Sequence, residues 1–480
     1  MTPRQASWAA LSGLLLALAF PPFALWPLAW VALIPLLHAA LEAPDAKAAA
    51  NIAAVAGLVF YGTSLHWLLK VFGKTTPAFW CIYCLWLCLA VVLVWQLWHK
   101  PPAILPLRWR AWAWVVMSAA VWVGCEFFRC EVWWLNNAWL ALGFSQTVNL
   151  PILQSASLWG VYGLSGFIAA FNCAGWLAWR GERKPLAVLA TVLATLWLWG
   201  RYHMTHHALG LGEPIPVALV QDETGNLDKV FHLSLDGAAR NARILVWPEE
   251  SFTVPAGQED QFRGSLNARL RGTKAVAVLP GAEYPAASGN GTVQNFTWVL
   301  APDGNLLGRY DKHHPIPFVE DGLLAGPTPR AIDSPVGKLG IQICYDLDFE
   351  DGTRHLAHDG AQLLVVPDQD PLEWTDWQHQ QHSAMAPMRA VESGLWIARA
   401  ASSGQSQIID PVGRIRAQMG TGLSGTLLGT VRLARSGTVY SQMGWLLAPL
   451  CLGFSVILTG FYLGAALMGW RTSKRAIAAR

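Results

Sequence analysis

Apolar and polar positions divide the chain into three parts. Up to residue 204, long apolar runs follow one another with short polar breaks, and a last long run begins at Met443. A membrane-spanning helix needs roughly 20 mostly apolar residues. We therefore predict about eight membrane helices, at Ser7–Phe20, Leu25–Leu41, Ile52–Phe72, Ala78–Trp98, Trp112–Phe128, Leu158–Trp179, Pro185–Tyr202 and Met443–Trp470.

The middle part has a different pattern. Short β-rich runs alternate with polar stretches, which is typical of an α/β domain with helices on its sheets. The predicted strands are Pro216–Gln221, Ile244–Trp247, Ala275–Leu279, Asn295–Leu300, Leu339–Cys344, Leu363–Val366, Ile397–Ala401 and Gln407–Ile409. The predicted domains are thus membrane helices over 1–204, an extracytoplasmic α/β domain over 205–442, and a C-terminal helix with a cytoplasmic tail over 443–480.

Charge supports this division. Only 14% of residues are charged, against about a quarter in a soluble domain. Before Thr205 the acidic residues are few, and the last acidic residue of the chain is Asp410. The net charge of +3 is small and its basic residues cluster near membrane ends, so nucleic acid is not indicated as a partner.

The basic residues also predict the orientation, because cytoplasmic loops are rich in Lys and Arg. With the N-terminus inside, the outer short loops hold only Lys70, Lys74 and Arg129. Seven helices then place the α/β domain outside, and the eighth returns the tail to the cytoplasm. We expect Glu126 and Arg129, near the outer end of the fifth helix, to anchor it by reaching headgroups and water.

Three predicted strand ends carry reactive side chains. Glu249 follows Val246-Trp247-Pro248, Lys312 follows Gly308-Arg309-Tyr310-Asp311, and Cys344 ends Gly340-Ile341-Gln342-Ile343. A carboxylate can take the proton of a thiol, and an ammonium can stabilise thiolate and oxyanion. Spacing alone leaves open a purely structural interpretation, in which Cys344 packs in the core and Glu249 and Lys312 are surface charges.

These segments resemble the Glu, Lys and Cys motifs of the nitrilase superfamily, whose domain is an αββα sandwich. The resemblance continues in Met388-Arg389-Ala390-Val391-Glu392 and in Ile408-Ile409-Asp410-Pro411-Val412-Gly413-Arg414. In the membrane part, Leu16–Phe23, Trp139–Gln146 and Gly160–Ser165 resemble the apolipoprotein N-acyltransferase family. We therefore expect a multi-pass α-helical membrane domain joined to a nitrilase-like α/β domain.

The resemblance implies roles for five residues. Glu249 matches the family's general base, Lys312 its oxyanion-stabilising lysine and Cys344 its nucleophile. Glu320 matches a further glutamate that supports the site, and Tyr345 follows the nucleophile as in the family.

It also implies the reaction and its setting. An acyl chain would pass from a membrane phospholipid, through a cysteine thioester, to the N-terminal α-amine of a diacylglyceryl-cysteine lipoprotein. No metal and no cofactor are expected. We expect a monomer in the bilayer of the bacterial inner membrane, with the catalytic domain on the periplasmic face.

Some positions depart from the family pattern and keep alternatives open. The segment Asp321–Lys338 is short where the family has a longer, partly apolar arm, which favours a membrane-tethered amidase or a different acyl acceptor as the second interpretation. A catalytically silent scaffold is the third. His379 and His382, with Asp376 nearby, have a spacing that can place two metal ligands on one helical face, but we expect packing there.

Overall fold

The computed structural model describes residues 1–102, 106–206, 209–284 and 293–478; for residue 211 and residues 468–478 it describes the backbone alone. The chain forms two compact units. One unit contains Met1–Ser145, Val161–Trp197 and Trp445–Arg480, and the other contains Gln146–Gly160 and Leu198–Gly444.

Sixteen helices lie in the described residues, apart from short 3₁₀ and π turns. They are α1 (Pro3–Ala19), α2 (Ile34–Leu41), α3 (Ala46–Ser64), α4 (Leu68–Phe72), α5 (Thr76–His99), α6 (Arg110–Phe127), α7 (Leu150–Leu153), α8 (Ala156–Trp179), α9 (Lys184–His206), α10 (Leu227–Ala239), α11 (Glu259–Leu270), α12 (Glu350–His358), α13 (Thr375–Ser383), α14 (Ala386–Ser393), α15 (Val439–Gln442) and α16 (Leu447–Ala478).

Thirteen strands lie in the same described residues. They are β1 (Leu211–Gln221), β2 (Ile244–Val246), β3 (Thr253–Pro255), β4 (Val276–Tyr284), β5 (Gln294–Leu300), β6 (Leu306–Asp311), β7 (Ile332–Ser334), β8 (Gly337–Ile341), β9 (Leu363–Asp368), β10 (Trp396–Ala401), β11 (Ser406–Ile409), β12 (Ile415–Met419) and β13 (Gly425–Leu433). Each of the eight predicted strands is confirmed, with bounds that differ by a few residues.

The first unit is helical and apolar, as expected of a membrane domain. Within the described residues, six helical stretches are long and apolar enough to cross a membrane: Ala46–Ser64, Leu68–His99, Leu107–Val132, Ala156–Trp179, Lys184–His206 and Gly444–Leu467. The first two of the eight predicted spans form helices that are shorter than these six. The helix α1 has 17 residues, and Trp26–Leu41 is a 3₁₀ turn followed by α2.

The predicted span Ile52–Phe72 is wrong in its bounds. The helix α3 begins at Ala46 because the Asp45 side chain accepts a hydrogen bond from the Ala48 backbone N–H at 2.8 Å, which caps its first turn. It ends at Ser64, and the separate helix α4 follows. The prediction counted only apolar residues and so passed over the capping aspartate.

Glu126 and Arg129 are buried, so the prediction that they reach headgroups and water is wrong. Their exposed fractions are 8% and 3%. The Arg129 Nη1 atom donates to the backbone oxygens of Asn137 and Trp139 at 3.0 and 3.1 Å, and Glu126 Oε2 accepts from the Leu142 N–H at 2.8 Å. Both side chains therefore hold the segment that follows α6 instead of facing solvent.

The second unit is an αββα sandwich, which confirms the predicted fold class. One sheet has the order β13-β1-β2-β4-β5-β6, with β3 paired to β4, and the other has the order β12-β11-β10-β9-β8-β7. Alternate residues of β1 face opposite sides, as a strand requires. Val217 and Leu219 join the core between the sheets, whereas Ala218 and Val220 pack with Phe231 of α10.

Parallel pairing brings several strand ends together. In the first sheet β2 runs parallel to β1 and β4, and in the second β9 runs parallel to β8 and β10. Carboxyl ends of parallel strands meet at one edge of a sheet. The residues that follow β2, β8 and β9 are Glu249, Cys344 and the segment after Asp368, so topology gathers them in one region.

Candidate active site

Cys344 opens a sharp turn after β8. It follows the strand by three residues and begins the 3₁₀ turn Cys344–Asp348 with φ of 50°. A non-glycine residue rarely adopts positive φ, and such strained positions cluster at functional sites. The thiol is 3% exposed, and its Sγ lies 3.8 Å from the backbone oxygen of Gln369.

Glu249, Lys312 and Glu320 form one hydrogen-bonded group. The Lys312 Nζ atom donates to Glu249 Oε1 at 2.8 Å and to Glu320 Oε1 at 2.7 Å. Glu249 Oε1 also accepts from Asn295 Nδ2 at 2.7 Å. Lys312 is 1% exposed and Glu249 is 4% exposed, so the predicted ammonium and base are buried, and the interpretation of them as surface charges is wrong.

Neighbouring backbone groups hold these side chains in place. The Lys312 N–H donates to the Asn295 oxygen at 2.9 Å, and the Glu249 N–H donates to the Asp368 oxygen at 3.3 Å. The Ile316 N–H donates to Glu320 Oε2 at 2.7 Å, which fixes the turn that carries Glu320. Each charged group is thus oriented by the strand end that delivers it or by the adjoining turn.

The thiol joins this group through Glu249, whose carboxylate is hydrogen-bonded to Cys344. The structure therefore brings Glu249, Lys312, Cys344 and Glu320 together. Tyr345 follows Cys344 in the chain and is also buried. Its ring packs edge-on against the ring of Phe349, with the two centroids 4.9 Å apart.

Burial and neighbouring charges set the protonation states. Burial raises the pKa of the Cys344 thiol well above its ordinary value; the Glu249 and Asp368 carboxylates add to this and the Lys312 ammonium opposes it. Burial also raises the pKa of Glu249, against the Lys312 charge. Burial disfavours the Lys312 ammonium, but Glu249 and Glu320 outweigh it and hold its pKa well above the ordinary value. The resting site therefore holds a thiol beside a carboxyl group and an ammonium.

Asp346 connects the two halves of the site, a role that the sequence did not indicate. Its Oδ2 accepts from the Tyr310 hydroxyl at 2.7 Å and from the Ile343 N–H at 3.0 Å, and its Oδ1 accepts from the His314 N–H at 2.6 Å. Burial would raise the pKa of Asp346, but hydrogen bonding and charge from His314 lower it. The carboxylate ties the turn at Cys344 to the segment after Lys312.

A second ionic group lies beside the thiol and was also missed. His382 Nδ1 lies 2.8 Å from Asp370 Oδ1, and His382 Nε2 lies 3.3 Å from Asp348 Oδ1. Arg399 Nη2 lies 2.7 Å from Asp368 Oδ2 and 2.8 Å from Asp370 Oδ2. All are at most 3% exposed. We call the five residues the aspartate cluster: Asp348, Asp368, Asp370, His382 and Arg399.

Cys344, Asp368 and His382 can each present one ligand atom within 4.8 Å of the others, a donor set that zinc accepts. However, carboxylates hold the pKa of His382 well above its ordinary value against burial, so the ring is a cation, and Arg399 adds a second one. Two cations of the chain itself, His382 and Arg399, thus already pair with the carboxyl groups of the cluster. His379 contacts the Pro371 oxygen at 3.0 Å and does not share a ligand position with His382.

Comparison with known proteins agrees with both units. Residues 12–174 match the family described as apolipoprotein N-acyltransferase N-terminal domain, and residues 213–440 match carbon-nitrogen hydrolase. An apolipoprotein N-acyltransferase of Geobacter metallireducens is 30% identical, with 94% of this chain and 93% of that protein covered. The chain belongs to the apolipoprotein N-acyltransferase family.

Other relatives carry the same name. The apolipoprotein N-acyltransferase of Gloeobacter violaceus is 26% identical, with 93% of this chain and 91% of that protein covered. Among solved structures, an amidase from Nesterenkonia sp. is 23% identical over 49% of this chain and 95% of that one, with a TM-score of 0.42. The two family matches and the 30% identical relative confirm the resemblance predicted from the sequence, and the chain is a membrane enzyme of the nitrilase superfamily.

Proposed function

We propose that this chain transfers a fatty acyl group from a membrane phospholipid to the N-terminal α-amine of a diacylglyceryl-cysteine lipoprotein, through a thioester on Cys344. The observation that carries the proposal is the contact of one buried thiol with a carboxyl group that is itself bonded to a buried ammonium. Family membership supports the lipoprotein acceptor.

The first step forms the thioester. The Glu249 carboxylate takes the proton of the Cys344 thiol, and the sulfur attacks the carbonyl carbon of the phospholipid ester. The Lys312 ammonium stabilises the oxyanion that develops, an effect that is large in a dry site. When the carbon–oxygen bond breaks, Glu249 gives its proton to the departing lysophospholipid oxygen.

The second step consumes the thioester. The neutral α-amine attacks the thioester carbon, and Glu249 accepts the proton that the nitrogen loses. The carbon–sulfur bond then breaks, the amide leaves, and the thiol recovers its proton from Glu249. Glu320 keeps Lys312 in place through its 2.7 Å hydrogen bond and balances its charge. Each proton transfer uses side chains of this chain alone.

We further propose that the protein lies in the bacterial inner membrane with its catalytic unit on the periplasmic face. The distribution of Lys and Arg between the short loops supports this orientation. Both proposed substrates carry acyl chains, so an enzyme anchored in the bilayer does not need to extract them into water.

Complementation tests the proposal against its main alternative. The full chain, expressed in a strain depleted of lipoprotein N-acyltransferase, should restore growth and N-acylated lipoproteins detectable by mass spectrometry. The Cys344→Ala variant, expressed to the same level, should restore neither. Failure of the well-expressed wild type, together with hydrolysis of small amides, would favour a membrane-tethered amidase, which the short segment Asp321–Lys338 suggests.

A further inference from the structure

Two carboxyl groups, not one, face the Cys344 thiol. Glu249 is hydrogen-bonded to it, and an Asp368 oxygen lies within 4.8 Å of its sulfur together with a nitrogen of His382. Glu249 is matched by the Lys312 ammonium at 2.8 Å. The proposed mechanism uses Glu249 and leaves the charge on Asp368 without a role.

Among the described residues, hydrogen-bond donors reach only one oxygen of the Asp368 carboxyl group. Its side chain is fully buried, and its Oδ2 accepts from Arg399 Nη2 at 2.7 Å. Its Oδ1 has no hydrogen-bond partner among the described residues, and His382 Nδ1 lies 3.6 Å from it. A buried carboxylate oxygen without a donor is costly, which favours a proton on this group.

The charges of the aspartate cluster point the same way. It holds three carboxyl groups and two cations, so full ionisation leaves one negative charge in excess beside the thiol. Asp370 accepts hydrogen bonds from Arg399, His382 and Gln378. Burial would raise the pKa of Asp370, but the charges of His382 and Arg399, with these hydrogen bonds, hold it well below the ordinary value. The third carboxyl group, Asp348, lies 3.3 Å from His382 Nε2, closer than the 3.6 Å between His382 Nδ1 and Asp368 Oδ1. The proton that balances the cluster therefore belongs on Asp368.

The remaining neighbours agree with this assignment. Burial raises the pKa of Asp368 to about 7; Arg399 and His382 oppose the rise, and Asp370 and Glu249 add to it. The Asp368 carboxylate in turn disfavours the thiolate of Cys344. Glu250, which follows Glu249, is a second group whose pKa burial raises to about 7, so an experiment must separate the two.

We propose that Asp368 is a positioning residue that sets the reactivity of Cys344 through its charge. When Asp368 carries a proton, it is neutral and does not repel the thiolate of Cys344. When Asp368 is ionised, the excess negative charge of the aspartate cluster opposes the thiolate. This inference rests on Cys344 being the nucleophile of the proposed function.

Alkylation of the thiol measures this effect without any acyl substrate. The full chain in detergent is treated with iodoacetamide from pH 6 to 9, and the peptide containing Cys344 is quantified by mass spectrometry. In Asp368→Asn, alkylation should be about tenfold faster than in the wild type at pH 8 and similar at pH 6, because the repelling charge is absent. Coincident curves for the two proteins would overturn the inference.

Two further variants complete the test. Glu250→Gln should keep the wild-type dependence on pH; loss of that dependence in Glu250→Gln but not in Asp368→Asn would also overturn the inference. If Asp368→Asn does not accumulate, Asp368→Ser replaces it, with the same expected result. Normal acyl labelling with coincident alkylation curves refutes this inference alone. Absence of acyl labelling with the expected curves refutes the proposed function and keeps the role of Asp368.

Discussion

Replacing Lys312 by methionine should destabilise the catalytic unit and strongly lower its activity. Lys312 Nζ is the shared partner of two carboxylates, at 2.8 and 2.7 Å, and its side chain is 1% exposed. Loss of one partner of a buried ion pair costs about 3–5 kcal/mol. The Asn295 hydrogen bond to Glu249 remains, and a carboxyl group can take up a proton, so we expect about 3 kcal/mol at pH 8.

The cost should depend on pH in a defined direction. Without the ammonium, burial and the nearby Glu320 carboxylate are no longer opposed, and the folded-state pKa of Glu249 rises further above its unfolded value. The penalty is therefore fully present at high pH and shrinks as pH falls and the carboxyl groups bind protons. Acyl transfer should fall about 10²–10³-fold, because the proposed oxyanion donor is lost.

Urea-dependent pulse proteolysis of the full chain in detergent, at pH 8 and pH 5.5, measures this stability. The matched control is Lys338→Met, which breaks a partly exposed pair with Asp359 at 3.7 Å. That change should cost at most about 1 kcal/mol and show little dependence on pH. The reasoning is refuted if Lys312→Met is no less stable than the control, or if its penalty grows as pH falls.

Three other outcomes are expected. Asp346→Asn should lower stability by about 2 kcal/mol at pH 7, because a charged acceptor of backbone N–H groups is lost. Since the pKa of Asp346 is lowered in the folded state, this difference should shrink as pH falls through that pKa, which thermal unfolding at pH 7 and at about pH 2 would show. Arg129→Met should lower the thermal midpoint of the full chain, because two backbone oxygens lose their donor; an unchanged midpoint would contradict the burial argument. An alkaline phosphatase fusion after Gly212 should be active, because its disulfides form only outside the cytoplasm; a well-expressed but inactive fusion would overturn the orientation.

Local pattern was enough to predict most elements of both units. Apolar runs bounded by polar residues gave the strands, and Glu249 and Lys312 follow the strands that were expected to deliver them. Helix ends were less predictable. The start of α3 at Ala46 depends on the Asp45 side chain, and the burial of Arg129 depends on a segment that folds back after its helix.

The pattern of residues along the chain could not predict contacts between segments that are far apart in sequence. The Asp370 carboxylate meets His382 and Arg399 only because α13 and β10 come together after folding. Two histidines spaced three apart suggested that both could bind one metal ion. In the structure His382 pairs with carboxylates, and His379 contacts a backbone oxygen. The positive φ of Cys344 likewise follows from the turn that Asp346 closes, not from local preference.

Acyl labelling of the full chain tests the central claim most directly. Incubation with a phospholipid that carries a radiolabelled acyl chain should label the wild type and a Cys81→Ala control through a bond that hydroxylamine cleaves. The Cys344→Ala variant, shown to be folded by its thermal midpoint, should carry no such label. Hydroxylamine-sensitive label on Cys344→Ala at the wild-type level would contradict the assignment of Cys344 as the nucleophile.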